Sequence, residues 1–420
     1  MTDRMDRSDT ATPLLHRALC LGAFLTPLNI WLGITIGQFA LRPLQVWALL
    51  FIPLVLATHA DDFIRAFDAT TLVFVSLVAA LTTSTIFATP VGYRLRAAAD
   101  LGLLFLNVAA FAAVHGGLRD RPAATRDFLR WLAMGALVNA VLLGIRSLSL
   151  SRQTLLASAD SNVFGLGTVV GTFESAIAAA ATLAMIFAPD RRSARAAGVL
   201  LLANGGLAVL SLARGPWLAA TGAVLLVIPV GAWQLRHQLS PRRLLLRLSL
   251  PAGVLVTAVA ALAATNLTRL LLIVNRILAL SEAARPVSSG GTAYQRLQIW
   301  TAMIDDTQRS LLFGNGAATY REISEYLMIV GQVSENFVVE IAHAGGLLSL
   351  LLLVIGVGLC LGVSLKQESS PTLESVMIRM AVLAGAATVV LGSLTNPSAW
   401  NGMYWVVLAL AASPYRPRTT

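Results

Sequence analysis

One arginine in this sequence is isolated in a way that suggests anion chemistry. Arg214 lies in the turn 213–217 and is the only charged residue between Arg195 and Arg236. Because desolvating a guanidinium alone is costly, it needs anionic or carbonyl partners at such a position. Arg214 is therefore a candidate anion ligand. The alternative is an interfacial anchor whose side chain reaches the lipid headgroups.

Two further residues could act with it on a phosphorylated substrate. Arg296 precedes Trp300 by one helical turn, and its planar fork suits phosphate oxygens. Its alternative role is that of a solvated arginine over an aromatic ring. Glu335, beside Asn336 at the start of an apolar run, could accept a proton from a hydroxyl nucleophile. Its alternative role is to stabilise a helix N-terminus through the helix dipole.

Ionisable residues also occur inside apolar runs. Glu174 lies near one end of such a run, and intramembrane carboxylates are functional candidates by default. A structural pairing with an arginine is its alternative. Glu340 and His343 are three residues apart in another run, a spacing at which they could satisfy one another.

The remainder of the chain is strongly apolar. Of its 420 residues, 56 % are hydrophobic and 12 % are charged, and apolar stretches recur along the whole length. This pattern excludes a soluble multidomain protein and predicts an all-α polytopic membrane protein. Cys20 and Cys360 lie in apolar runs, so we expect neither a disulfide nor a thiolate metal site. The sequence contains no nucleotide-binding glycine motif and no His/Cys ligand cluster, and we predict no metal and no cofactor.

Twelve membrane spans can be marked. They are predicted at about 15–34, 43–60, 68–89, 97–115, 128–148, 166–188, 196–213, 215–233, 245–264, 336–364, 376–394 and 398–413. The resulting organisation is an N-terminal tail (1–14), nine spans (15–264), a large loop (265–335), three spans (336–413) and a C-terminal tail (414–420).

The basic residues predict which way the chain crosses the membrane. With the N-terminus inside, the inner side carries 19 of the 31 basic residues, and six of the other 12 lie in the large loop. Long loops do not follow the charge rule, so the informative ratio is 19 to 6. Both termini are predicted to be cytoplasmic and the loop to be outside. Because the basic residues are dispersed over many short loops, we expect membrane lipids and not nucleic acid as partners.

The loop 265–335 is the longest gap between apolar runs, and membrane proteins rarely keep so long a polar segment without a function. Its first part, 265–284, is rich in Leu and Ile with interspersed arginines. This pattern predicts a helix that lies along the outer membrane interface. A second helix is predicted from about 293 to 309, ended by the glycine turn 314–316.

Three segments together resemble the O-antigen ligase and Wzy-type polymerase superfamily of bacterial envelope glycosyltransferases. The first, Ala213-Arg214-Gly215-Pro216-Trp217, is similar to the family's Ser-Arg-Gly-x-Trp hairpin. The second consists of Arg296, Trp300, Gly314-Asn315-Gly316 and Tyr320, and it is similar to the family's loop pattern of Arg, Trp, Gly-x-Gly and Tyr. The third, Ser334-Glu335-Asn336 ahead of Gly345-Gly346, is similar to the family's His-Asn segment before a glycine-containing helix. The family's plan of about twelve spans with one large periplasmic loop covers nearly the whole chain, and a GT-C-like architecture is implied.

The resemblance implies a metal-independent, inverting transfer of glycan from undecaprenyl pyrophosphate to an acceptor hydroxyl, at the periplasmic face of the bacterial inner membrane. Arg214 and Arg296 match the family's arginines that face the pyrophosphate, where fixed positive charge stabilises the leaving group. Glu335 stands where ligases carry histidine, so the likeness favours a polymerase of O-antigen or exopolysaccharide repeat units. The supporting residues expected are Glu174, Asn336, Trp300 and Tyr320.

The partners implied are a lipid-linked glycan donor, a glycan or lipid-linked acceptor, and polysaccharide-assembly proteins. Three alternatives stay open: a ligase acting on lipid A core, a relative that binds lipid-linked glycan without catalysis, and a polysaccharide transporter or flippase. A transporter predicts ionisable residues near mid-membrane on several helices related by an internal repeat. No repeat of fixed period is visible in the sequence.

Overall fold

The computed structural model describes residues 13–28, 34–36, 39–58, 67–149, 168–211, 214–265, 274, 292–326, 336–366, 371–395, 401–413 and 415. Within these ranges the chain is almost entirely helical. The helices are α1 (Pro13–Leu28), α2 (Pro43–Thr58), α3 (Ala69–Ala88), α4 (Arg94–Leu118), α5 (Pro122–Ser149), α6 (Thr168–Ile186), α7 (Arg191–Leu210), α8 (Arg214–Gln234), α9 (Pro241–Thr265), α10 (Thr292–Thr307), α11 (Tyr320–Tyr326), α12 (Phe337–Leu365), α13 (Leu373–Gly392) and α14 (Gly402–Ala412). Most of the two predicted tails, and the predicted interfacial helix 265–284 beyond the end of α9, lie outside the described residues.

Several of these helices have the length and composition of membrane spans. Six are long and apolar enough to cross a bilayer: Ala69–Ala88, Val91–Leu118, Pro122–Ile145, Gly215–Gln234, Phe337–Leu365 and Leu373–Gly392. Shorter apolar helices occur at Leu14–Leu28, Pro43–Leu54, Val170–Ile186 and Gly402–Ala412. The prediction of an α-helical chain with helices of membrane-spanning length is confirmed for the described residues. A helix lies in each of the twelve predicted spans, and the number that cross the membrane stays a prediction.

A short β-ribbon between α1 and α2 was not predicted. Strand β1 (Ile34–Ile36) pairs antiparallel with β2 (Phe39–Leu41), with Ile34 opposite Leu41. The first predicted span, 15–34, was therefore too long, since α1 ends at Leu28 and Ile34 already belongs to the ribbon. Two isoleucines and a threonine in β1 favour the extended conformation that the apolar pattern alone did not reveal.

Polar caps fix where several helices begin. The first amides of a helix have no partner within it, and a side-chain oxygen at the cap position satisfies one or two of them. Asn336 accepts from the third residue of α12, and Asn401 accepts from Met403 of α14. Thr372 and Ser375 form a reciprocal capping box at the start of α13. The start of α12, which the sequence places next to Glu335, is thus defined by its own cap.

An aromatic cluster holds α3, α4, α12 and α14 together. The ring centroid of Phe74 lies 5.0 Å from those of Phe111 and Trp405. The ring centroid of Tyr404 lies 5.5 Å from that of Trp405 and 6.0 Å from that of Phe337. All five side chains are essentially buried. Such edge-on and tilted contacts add to the free energy of burying large rings. They place the first residue of α12 against the core.

The bundle has two ends that differ in chemistry. The loop end holds the described part of the large loop, 292–326, and the start of α12, where the Phe337 amide donates to the Ser393 carbonyl at 3.0 Å. The basic end lies at the opposite end of α13, where the Gln238 side chain donates to the Pro371 carbonyl at 2.7 Å.

A polar cluster ties three helix ends together at the basic end. His115 Nε2 lies 3.0 Å from Asp68 Oδ2, and its Nδ1 lies 2.8 Å from Ser413 Oγ. Burial raises the pKa of the Asp68 carboxyl, but hydrogen bonds from His115 and the Thr71 amide and the charges of His115 and Arg119 outweigh it, so the pKa is lowered. Ser413 is 2 % exposed, so this Ser-His-Asp chain joins the ends of α4 and α14 to the start of α3 in the interior.

Candidate functional site

The large loop is inserted into a break in α12. Gly346 has φ 65° and ψ −165°, outside the helical region, although helix continues on both sides of it. The Leu347 amide donates to the Leu311 carbonyl at 2.8 Å, and the Asn315 amide donates to the His343 carbonyl at 2.8 Å. The loop backbone thus supplies partners for groups that the break frees, which is required of irregular backbone at membrane depth.

Glycine is needed at this insertion for two reasons. Gly314 and Gly316 have φ of 71° and 86°, a region that side chains disfavour. A Cβ at Gly314 would lie 2.4 Å from the Gly346 amide nitrogen, and one at Gly316 would lie 2.2 Å from Thr89 Oγ1. The predicted helix before this turn is confirmed as α10, followed by a 3-10 turn at Gln308–Ser310.

A histidine–carboxylate pair joins the loop to α12. His343 Nε2 lies 3.0 Å from Asp306 Oδ2, which also accepts from Asn315 Nδ2 at 2.8 Å. His343 Nδ1 lies 3.3 Å from Thr319 Oγ1. The ring nitrogens of His343 are therefore engaged by loop residues, whereas the sequence had suggested Glu340 as its partner. His343 is 1 % exposed and the Asp306 side chain is 34 % exposed, so the aspartate is the member that faces outward.

Sequence reasoning missed Asp306 altogether. It stands 37 residues from His343, on a different element, so no local spacing connects the two. The available signal was a histidine inside an apolar helix, which needs polar partners from a neighbouring element. A carboxylate in the adjoining loop was the obvious source of one.

Tyr320 stands beside the same face of α12. Asn336, Glu340 and His343 are spaced at i, i+4 and i+7, so they share one face, and all three are buried. Burial raises the pKa of the half-buried Tyr320 hydroxyl, and the negative charge of Glu340 raises it further. The Arg321 guanidinium lies 5.5 Å from the Tyr320 ring. The loop end thus contains a group of buried and half-buried polar side chains from α11 and α12.

The start of α8 is held by two residues that follow Arg214. Arg214 is the first residue of α8, and its side chain lies outside the described part of the structure. A Cβ on Gly215 would lie 2.4 Å from Thr395 Oγ1, so the start of α8 packs directly on the end of α13. Trp217 Nε1 donates to the Ala208 carbonyl of α7 at 2.7 Å. Gly215 and Trp217 therefore hold the start of α8 against α13 and α7.

Three elements meet at the C-terminal end of α13. The Phe337 amide at the start of α12 donates to the Ser393 carbonyl. Thr172 of α6 lies 2.6 Å from the position that a Cβ on Gly392 would occupy, and α8 packs on Thr395. The ends of α6, α8 and α12 are therefore brought together by three residues at the end of α13, Gly392, Ser393 and Thr395.

This junction places some of the candidate residues near one another. Arg214 begins α8 and Asn336 caps α12, so both belong to elements that meet there. Glu335, next to Asn336, lies outside the described residues. Arg296 and Trp300 are half-buried on α10, which packs against α11 and α12. Arg296 is held at the loop end by that packing.

Glu174 faces the interior of the bundle. Its side chain is fully buried, and Oε1 accepts from Asn139 Nδ2 of α5 at 2.7 Å. Its Oε2 is buried without a hydrogen-bond partner in the described part of the chain. The alternative that Glu174 pairs with an arginine is thus not what the described residues show.

An apolar cavity of about 240 Å³ lies among the helices. Its lining comes from α1, α5, α6, α7, α13 and α14, and many of the side chains are alanines, such as Ala133, Ala136, Ala176 and Ala180. Small side chains leave room between closely packed helices. The cavity can accommodate hydrocarbon and offers almost no polar group.

Cys20 and Cys360 are free, buried thiols. Across the described ranges, no group of three or more His, Cys, Asp or Glu side chains is placed to hold a metal ion. Compared with known proteins, the chain matches no family model and no curated protein sequence. The structural features above, together with the motifs, therefore carry the functional argument.

Proposed function

We propose that this protein is a glycosyltransferase of the O-antigen ligase and polymerase superfamily. It transfers glycan from undecaprenyl pyrophosphate to an acceptor sugar hydroxyl, and a polymerase of O-antigen or exopolysaccharide repeat units is preferred. In this proposal the chain has twelve spans of GT-C-like arrangement in the bacterial inner membrane. Both termini are cytoplasmic, and the loop end faces the periplasm.

The observation that carries the proposal is the junction at the end of α13. The start of α8, with Arg214, and the start of α12, with Asn336, pack on neighbouring residues there. A site that serves both a pyrophosphate and a nucleophile requires such proximity. The inserted loop, which carries Arg296 on α10 and Tyr320 on α11, lies at the same end of the bundle.

The proposed reaction needs no redox partner. The acceptor hydroxyl oxygen attacks the anomeric carbon, the bond from that carbon to the phosphate oxygen breaks, and undecaprenyl pyrophosphate leaves with the electron pair. Arg214 and Arg296 stabilise the charge that develops on the pyrophosphate. Glu335 accepts the hydroxyl proton. The polyprenyl chain stays in the apolar part of the bundle, for which the alanine-lined cavity is one location.

Two other functions have support. The ligase alternative shares the donor chemistry and differs in the acceptor, which would be lipid A core or another glycolipid. The flippase alternative is favoured by one observation, the fully buried Glu174, whose Oε1 accepts a hydrogen bond from Asn139, since transporters use intramembrane carboxylates.

Glycan transfer by purified protein in proteoliposomes tests the proposal. Wild type and the variants Arg214→Ala, Arg296→Ala and Glu335→Gln are supplied with lipid-linked repeat units, and product lengths are resolved on a gel. We expect a ladder from wild type and at least a hundredfold loss of rate in each variant, as for removal of one transition-state contact of about 3 kcal/mol. A matched control, Arg309→Ala, removes an exposed loop arginine and should keep the ladder. A single product that needs added core acceptor would identify a ligase.

A further inference from the structure

Two chain turns lie side by side at the basic end. They are residues 187–190, between α6 and α7, and residues 235–240, between α8 and α9. Arg247, in the first turns of α9, donates from Nη1 to the carbonyls of Ile186 at 3.3 Å and Ala188 at 3.1 Å. Its charge is favourable at the carbonyl end of α6. The starts of α7 and α9 are therefore held next to each other.

These turns concentrate positive charge. Six exposed arginines lie on them or just after them: Arg191, Arg192, Arg195, Arg236, Arg242 and Arg243. Between positions 186 and 247 the sequence contains a single acidic residue, Asp190, which caps α7 by accepting from the Ser193 amide at 2.8 Å. Like charges at this density repel one another, and an anion bound among them would relieve the repulsion. We call these six residues the arginine surface.

Exposed apolar side chains adjoin the arginine surface. Trp233, Leu245 and Leu246 are 61 %, 67 % and 63 % exposed, and the Arg236 guanidinium lies 4.0 Å from the Trp233 ring. Tryptophan and arginine side by side are typical of the border between hydrocarbon and headgroups. A free anion would contact the arginines alone, whereas a lipid would cover the apolar side chains as well.

We propose that the arginine surface binds the headgroup of an anionic phospholipid. Its phosphate is held by Arg236, Arg242 and Arg243, and its acyl chains lie against Trp233 and Leu245. This site is at the opposite end of the bundle from the candidate functional site, and it does not depend on the proposed transferase activity. Attraction to anionic lipid contributes about fivefold in affinity for each arginine near the surface.

Quenching of Trp233 fluorescence by brominated lipids tests this site in the reconstituted full-length protein. The chain has eight tryptophans, so the signal of Trp233 is the difference between wild type and Trp233→Phe. We expect brominated phosphatidylglycerol, as a minor component of a phosphatidylcholine bilayer, to quench Trp233 more than brominated phosphatidylcholine at the same mole fraction. The variant Arg242→Gln/Arg243→Gln removes two arginines, so the preference for phosphatidylglycerol should fall by about 25-fold. If the wild-type preference is smaller than that, the two lipids should quench the variant equally.

The controls separate a specific site from general charge attraction. Arg17→Gln/Arg130→Gln removes the same charge from exposed arginines of α1 and α5 and should leave the preference intact. Arg242→Gln/Arg243→Gln removes positive charge from the first turn of α9, where positive charge interacts unfavourably with the helix dipole. Folding should therefore be retained, and an unchanged melting temperature checks this. Equal quenching by the two lipids in wild type, or the same preference in the Arg242/Arg243 variant, overturns the proposal. Displacement of the lipid by inorganic phosphate at constant ionic strength also overturns it, in favour of a free-anion site.

Discussion

Replacing His343 by alanine should release the inserted loop from α12. The ring is 1 % exposed, and its nitrogens lie 3.0 Å from Asp306 Oδ2 and 3.3 Å from Thr319 Oγ1. A hydrogen bond to a charged partner contributes about 1.5–3 kcal/mol and a neutral one about 0.5–1.5 kcal/mol. Because Asp306 is 34 % exposed, water can replace part of its lost contact. We therefore expect a loss of about 2–3 kcal/mol in the free energy that holds the loop.

Hydrogen exchange of the loop amides measures that loss in nanodiscs. The amides of Asn315, Gly316 and Ala317 are bonded to the His343 carbonyl, the Ala344 carbonyl and Thr85 Oγ1. If the loop opens locally, 2–3 kcal/mol corresponds to about 30- to 150-fold faster exchange at these three positions.

A matched control comes from the same cluster. Arg309 lies 3.6 Å from Asp306 Oδ1 and its side chain is 84 % exposed, so Arg309→Gln should change the free energy by less than about 1 kcal/mol. Unchanged exchange at Asn315 and Gly316 in His343→Ala would refute the role assigned to the histidine. Equal acceleration in the Arg309 variant would show that charge near Asp306, and not the buried ring, holds the loop.

Three further predictions follow from the packing. Gly314→Ala should lower the melting temperature by several degrees and speed exchange of the loop, because a Cβ there would lie 2.4 Å from the Gly346 amide and φ is 71°; Gly92→Ala, where a Cβ meets nothing within 4 Å, is the control. Glu174→Gln should fold normally, since it keeps an oxygen for the Asn139 side chain, whereas Glu174→Ala should cost about 1–3 kcal/mol in thermal unfolding. The lowered pKa of Asp68 means that its stabilisation is full above the unfolded value of about 3.9 and is lost as pH falls through the folded pKa. The melting-temperature gap between wild type and Asp68→Asn should therefore stay constant above about pH 5 and shrink below it; a gap that grows in acid would contradict this sign.

The helices could be predicted from sequence because apolar runs of membrane length have few other uses. The same logic located α10, whose apolar residues recur at helical spacing, and the glycine turn after it. It did not reveal the break in α12 at Gly346, because the apolar run continues through that position. The adjacent glycines Gly345 and Gly346 are visible in the sequence. The non-helical conformation of Gly346 is explained by the loop that is inserted beside it.

The site was harder to predict because its contacts join distant parts of the chain. Arg214 stands out because it is isolated in sequence, and the packing of Gly215 on Thr395 gives the start of α8 a defined place. Asp306 was missed, since its partner His343 lies across the loop. Glu174 stands out in the sequence as a carboxylate inside an apolar run, but its bound neighbour is Asn139, an uncharged residue that composition does not highlight. Pairings of this kind are set by how helices pack and not by local pattern.

The central claim is that a bond is made at the loop end and that the lipid carrier is released. Wild-type protein in proteoliposomes, supplied with fluorescent glycan on undecaprenyl pyrophosphate, allows both products to be counted in one sample. Transferase activity predicts one undecaprenyl pyrophosphate freed for each new glycosidic bond, with a ladder of lengthened glycans on the lipid. Intact glycolipid moved across the bilayer, with no carrier released and no bond formed, would contradict the claim and identify a flippase.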